Sequence, residues 1–301
     1  MLATSPARTS RVLMDGIMLG ECPRWHADKL WVADWVGQTL YSVGEKGRSN
    51  AEAHIASLPF SIDWLPDDTM LVVNAAERVL QKRLPDNTFA TYADLSSLSP
   101  HGSNEIVVDG RGNAYVNNVN FDMSEGGPVK GFEDFLKTGD RPGFIALVAP
   151  DGTARKVAEG LAFPNGMAIT PDNKTLIVAE SYSGALTAFD ISPDGSLANR
   201  RVWAQLAQGG ADGICLDAEG CVWAGSMGSA IRVREGGEIV DEVDVPEGMA
   251  CFAVMLGGTD GRTLFSVANA WSGDVDSTGA KASGKVFATR VDVPHAGYPR
   301  S

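Results

Sequence analysis

No stretch of this chain approaches the roughly 18 uncharged apolar residues that a membrane-spanning helix needs. Its hydrophobic residues, 44% of the total, are therefore expected in a buried core. Basic residues are the scarcer charge: 25 Lys and Arg stand against 38 Asp and Glu, a formal net charge of −13 with no Lys/Arg cluster. Nucleic acids and anionic membranes are held by such clusters, so both are excluded as expected partners. Cysteine is sparse. Cys22, Cys215, Cys221 and Cys251 form no C-x-x-C pair and no zinc-type spacing with the four histidines. They are read as reduced and mostly buried, a Cys215–Cys221 disulfide being the minor alternative. H-E-x-x-H, GK[ST] and G-x-S-x-G are all missing, which excludes a helical zinc protease site, a phosphate loop and a nucleophile elbow. The stretch 1–14 carries Arg8 and Arg11 but no apolar core of signal-peptide length, so the expected location is cytoplasmic.

What is present is a repeat. An apolar stretch, a turn rich in Asp or Gly and a second apolar stretch recur six times, as in RWHADKLWVAD (24–34), VVDGRGNAYVN (107–117) and CLDAEGCVWAG (215–225). The central apolar residues of the second stretches are Trp31, Leu71, Tyr115, Ile177, Trp223 and Phe265. They are spaced by 40, 44, 62, 46 and 42 residues, a mean near 47. Such a period is that of propeller blades. Alternating third strands follow in most units, at 38–43, 143–148, 185–191, 230–235 and 285–291. Period-2 patterning closed by Asp-Gly and Asp-Asn turns is hairpin chemistry. The expected fold is one all-β, six-bladed β-propeller spanning residues 1–301, with the segment around Arg11–Met14 pairing into the last blade. A seven-bladed ring or an open sandwich is the alternative.

The 62-residue step is about 15 longer than the mean. Its excess lies in 120–143, rich in Gly and Pro, with a helix-like piece at 132–137. Long insertions are usually functional or disordered, so a lid or pocket wall is expected there.

Aligning the units on their first turn places Glu21, Ser61, Asn104, Asn165 and Asp212 at equivalent points of the innermost strands, which line a propeller's central channel. The sixth counterpart is near Cys251 or Phe252. Polar side chains converging in a narrow channel must be satisfied. Two carboxylates and two amide oxygens suit a divalent cation; a water-filled polar channel satisfies them equally well.

GECPRW (20–25), SNEIVVDGRGNAYV (103–116), FPNGMAITPDNKTLIVAES (163–181) and DGICLDAEGCVW (212–223) together resemble the SMP-30/gluconolactonase/LRE-like family over nearly the whole chain. The resemblance implies a six-bladed propeller that hydrolyses lactones with one divalent metal on the channel axis. It assigns metal binding to Glu21, Asn165 and Asp212, and places Asn104 at the metal or the substrate. The implied cofactor is Ca²⁺ first, with Mg²⁺, Mn²⁺ or Zn²⁺ as alternatives. Asp212 is the first candidate for general base and Glu21 the second. Two departures stand out: Gly102 occupies the position of an arginine that grips sugar hydroxyls, and Glu105 replaces an Asp. Substrate contacts are expected from Asn104 and Glu105, and from a more apolar mouth formed by Trp35, Phe60, Phe121, Met123 and Trp271. The expected partner is a small lactone or ester. Rival readings are an organophosphate or aryl ester hydrolase on the same site, and a non-catalytic metal-binding propeller. His101 is the histidine nearest the site and is assigned a supporting or surface role. Asn173-Lys174-Thr175 reads as a hairpin turn rather than a glycosylation site.

Overall fold

A computed structural model describes residues 8–122, 127–206, 210–270 and 281–297. Six antiparallel sheets of four strands each follow one another around a ring. Their innermost strands are Gly20–His26, Phe60–Trp64, Ile106–Val108, Pro164–Ile169, Ile214–Leu216 and Ala250–Gly257, each lying beside the next. Within blades 1 to 5 the strands run outward in sequence order. Blade 6 is completed from the other end of the chain: Ser10–Ile17 pairs antiparallel with Gly284–Arg290 and forms the outermost strand. The six-bladed ring and its closing segment therefore match the expectation.

The repeat is visible because of how blades pack. Trp31, Leu71, Tyr115, Ile177, Trp223 and Phe265 are all buried. Each belongs to an apolar cluster shared between neighbouring blades. Trp31 packs with Ile62 and Trp64, Tyr115 with Met167 and Val178, and Ile177 with Ile214 and Val222. Trp25 of blade 1 stacks on Phe265 of blade 6 at 5.4 Å. Burying one such side chain is worth about 1.5–3 kcal/mol, so every blade depends on its neighbours. All four cysteines are buried free thiols. Cys215 stands opposite Trp223, not Cys221.

Antiparallel order fixes which groups share a face. The innermost strands start at the end of the ring where the second strands finish. Loops joining second to third strands therefore surround the starts of the innermost strands. The long insertion is one of these loops, between Ala114–Asn118 and Gly143–Val148. It contains the helix α1, Gly127–Thr138, twelve residues that begin five positions before the expected piece. Gly127 and Pro128 read as loop signals, yet proline is tolerated in a first helical turn because its missing N–H would go unused there. A Lys130–Asp134 pair at 2.7 Å supports the helix. Gly139, at φ +72°, closes it by donating to Phe135 O.

Candidate functional site at the channel mouth

Glu21 pairs with Ala33 and Ser61 with Val73. Asn104 N–H donates to Asn117 O, and Asp212 N–H to Gly225 O. In each blade the partner lies two residues beyond the central apolar residue of the second strand, so these four positions are equivalent. Asn165 falls within a register shift between Pro164 and Met167. Another shift follows Glu21, where Cys22 adopts a positive φ of 47°. A third lies between Cys251 and Ala253, at the counterpart position in blade 6. Bulges of this kind bend a strand and re-aim side chains, and three of them occur at one level of the channel.

The sequence PNG has a direct steric reason. A Cβ on Gly166 would lie 2.5 Å from Ile214 N and 2.6 Å from Asp212 O. Only glycine lets blade 4 approach blade 5 so closely, and the approach puts Asn165 beside Asp212. Ser181 then fixes the Asn165 amide: Asn165 Nδ2 donates to Ser181 Oγ at 3.3 Å, and Ser181 Oγ donates to Ala211 O at 2.9 Å. That leaves the Asn165 oxygen as an acceptor. The Asn104 carbonyl accepts from Ser61 Oγ at 2.6 Å, which holds the backbone while its side chain makes no hydrogen bond among the described residues.

The electrostatics are those of crowded, buried carboxylates. Asp212 is half-buried as a whole, but its Oδ1 is shut off from solvent and has no hydrogen-bond partner among the described residues. Burial first, and the charge of Glu105 second, push Asp212 up to about 8. Glu21 is raised well above the usual carboxylate range, chiefly by burial and then by Asp212 and Glu105; a hydrogen bond from Cys22 N–H at 3.2 Å opposes the shift. Glu105 is also raised by burial, against the pull of Arg24. Arg24 Nη2 donates to Glu105 Oε2 at 3.2 Å and to Ile106 O at 2.7 Å, linking blade 1 to blade 3. Asp63 of blade 2 accepts from Trp64 N–H and from Val108 N–H of blade 3. Among the described residues no three His, Cys, Asp or Glu side chains are grouped to hold a metal ion. Two carboxylates, from Glu21 and Asp212, remain with the amides of Asn104 and Asn165.

The ring thus brings Glu21, Asn165 and Asp212 together, and Glu105 is buried against Arg24. Trp35 is half-buried near the same face, its Nε1 donating to Phe60 O at 2.7 Å. Phe60 itself is wholly buried in the core shared by blades 1 and 2, a packing residue rather than part of the mouth. Phe121 stands at the start of the insertion, against Phe163 and Tyr182. Met123 and Trp271 lie outside the described residues. Sequence reasoning passed over Arg24, Asp63, Ser181, Phe163 and Tyr182. Phe163 and Ser181 stand within the FPNG…AES motif, and Arg24 within GECPRW, so membership of those motifs was the available signal.

Gly102 is more constrained than a simple absence of side chain. A Cβ there would lie 2.6 Å from both the Cβ and the carbonyl oxygen of Ala75. The backbone of this chain has closed over the space that an arginine would need.

Residues 19–269 match the SMP-30/Gluconolactonase/LRE-like region. A 6-deoxy-6-sulfogluconolactonase of Pseudomonas putida is 28% identical over 162 residues, 52% of this chain and 56% of that protein. Diisopropyl-fluorophosphatase of Loligo vulgaris is 27% identical over 154 residues, 48% of this chain and 47% of that protein. The match spans about half the length of these curated relatives. The structure of a calcium-binding protein, regucalcin, from Agrobacterium tumefaciens superposes with a TM-score of 0.76 at 22% identity, covering 98% of this chain and 97% of that one. No helix among the described residues is long and apolar enough to cross a membrane.

Proposed function

Because this chain belongs to the SMP-30/gluconolactonase/LRE-like family, we propose that it is a divalent-metal-dependent hydrolase that opens lactones or similar cyclic esters. The observation that carries this reading is Asp212 Oδ1, a buried carboxylate oxygen without a partner among the described residues, set among a second raised carboxylate and an anchored amide. Unpaired buried charge is costly, and a cation relieves it. The donors fit: Glu21, Asn165 and Asp212, with Asn104, would hold the ion through hard oxygens, the chemistry of Ca²⁺ first and of Mg²⁺, Mn²⁺ or Zn²⁺ next. When bound, such an ion supplies a Lewis acid that polarises the acyl oxygen.

The chain's own residues do the rest. Asp212, a carboxylate at the edge of the ion's site, is placed to accept a proton from the attacking water. Water adds to the acyl carbon, the ring C–O bond breaks, and the departing alkoxide takes the proton back from Asp212 to give a hydroxy acid. Glu21 is the second candidate for the base. Asn104, whose side chain makes no hydrogen bond among the described residues, holds the ion or touches the substrate. With Gly102 unable to carry an arginine, polyol groups entering the site lose water without gaining a partner, at roughly 1–3 kcal/mol each. Less polar γ- or δ-lactones, or aryl-fused ones, are expected to outrun gluconolactone. The likeness to diisopropyl-fluorophosphatase supports a second reading, an organophosphate substrate on the same site.

The test is turnover of a panel of lactones and organophosphates, a fluorophosphate among them, before and after exhaustive chelation. Activity should vanish with the metal and return with Ca²⁺. Asp212→Ala and Glu21→Gln should each lose on the order of 10²-fold or more in kcat with the fold intact. Full activity at a verified nil metal content overturns the mechanism. Tight metal binding without turnover of any compound would make the protein a metal-binding module instead.

A further inference from the structure

A cavity of about 410 Å³ lies between α1 and blades 3 and 4. Its apolar walls are Phe121, Phe135, Phe163 and Tyr182. Phe163 and Tyr182 rings sit 4.6 Å apart, Phe121 and Phe163 5.9 Å, and Phe135 and Tyr182 5.9 Å. These rings are held by the parts that build the candidate site. Phe163 is two residues before Asn165, and its carbonyl accepts from Ser181 N–H. Tyr182 follows the Ser181 that orients the Asn165 amide. The cavity therefore lies on the same face as the channel mouth, and its Phe163 and Tyr182 are close neighbours in sequence of Asn165 and Ser181.

The helix is fitted to those rings rather than merely lying near them. A Cβ on Gly131 would meet Tyr182 Oη at 2.4 Å and Phe121 Cζ at 2.8 Å, so only glycine allows α1 to come this close. Tyr182 Oη donates to Pro128 O at 2.7 Å and ties the first turn down. At the other end, Asn120 Nδ2 donates to Pro142 O at 3.1 Å. Arg141 pairs at 3.2 Å with Glu180, a carboxylate only 1% exposed. The polar lining carries Asp122, Asp134 and Asp140 against Lys130, which pairs with Asp134. That balance disfavours an anionic occupant.

We propose that this cavity is a substrate subsite that takes a neutral, flat aromatic group attached to or fused with the reacting ring. Aromatic walls gain from ring-on-ring contact that a sugar ring cannot supply. The acidic lining turns away carboxylated, sulfonated or phosphorylated groups. Phe135 and Gly131 determine specificity here, one as a wall and the other by letting the helix close. The substrate claim rests on the hydrolase reading above; the binding claim does not.

Two lactones and one inert probe separate the claims. 3,4-Dihydrocoumarin carries the aromatic ring, δ-valerolactone lacks it, and α-tetralone has the fused shape without an ester to open. Phe135→Ala and Gly131→Leu should each lower kcat/KM for dihydrocoumarin at least tenfold, through KM, while δ-valerolactone changes less than twofold. Hydrophobic pockets discriminate on this scale. α-Tetralone binding, measured by calorimetry on the same variants, should weaken in parallel. Equal effects on both lactones, or α-tetralone affinity unchanged in both variants, overturns the subsite. If wild type opens neither lactone yet binds α-tetralone in a Phe135-dependent way, the subsite stands and the hydrolase reading falls. If it opens both lactones but binds no α-tetralone, the reverse holds.

Discussion

Asp212 illustrates a side chain whose placement works against the fold that carries it. Its pKa is pushed from the ordinary 3.8 to about 8 in the metal-free protein. Between those values the folded state holds a proton that the unfolded state has released. Stability from this group is therefore present below about pH 4 and lost as pH rises toward 8. Asp212→Asn keeps the shape without the charge. In chelator, the variant should melt progressively higher than wild type as pH rises from 4 to 8, with the gap levelling above 8. Ca²⁺ should narrow the gap by stabilising wild type alone. A gap that is constant with pH in a series of melting curves would mean that Asp212 does not titrate as argued. The same residue shows what a sequence reveals. Its alignment with Glu21, Asn104 and Asn165 could be read from repeat spacing, because blade geometry is periodic. The Arg24 link to Glu105 could not, because it crosses from blade 1 to blade 3, and nothing local in the sequence fixes that reach.

Among the elements, α1 contributes least to the core and most to the outline of the mouth. None of its side chains is buried, whereas the strands it follows and precedes, Ala114–Asn118 and Gly143–Val148, are buried throughout. Replacing residues 122–140 by a short Gly-Ser link should leave the melting temperature within a few degrees, since long surface insertions add little loop entropy. KM or the order of substrate preference should change far more. Unfolding of the replacement, followed by circular dichroism, would instead make the insertion structural. The outermost strands were harder to read than the inner ones. Ser49–His54 and Ile239–Asp244 are mostly exposed or half-buried, so no apolar alternation marks them. Inner and second strands face neighbouring blades and announce themselves through burial.

At the scale of the whole ring, six blades stand or fall together because each apolar cluster is shared. Removing residues 8–18 should expose the edge of Gly284–Arg290, lower the melting temperature and promote association through that edge. A peptide of residues 8–18 added in trans should reverse the change in a concentration-dependent manner. A truncated protein that stays monomeric with an unchanged melting curve would deny the closing strand its role. The ring itself was legible from a mean spacing near 47 residues, whereas contacts between blades distant in sequence left no such trace. The closing strand also sets a clock. During synthesis Ser10–Ile17 emerges roughly 270 residues before its partner Gly284–Arg290, and at about 5–20 residues per second it waits on the order of 10–60 s. Of its eight residues only Leu13 and Ile17 end up buried. A segment that must be first made and last paired thus buries only these two side chains, and Ser10, Arg11 and Asp15 keep it compatible with water until the ring is ready for it.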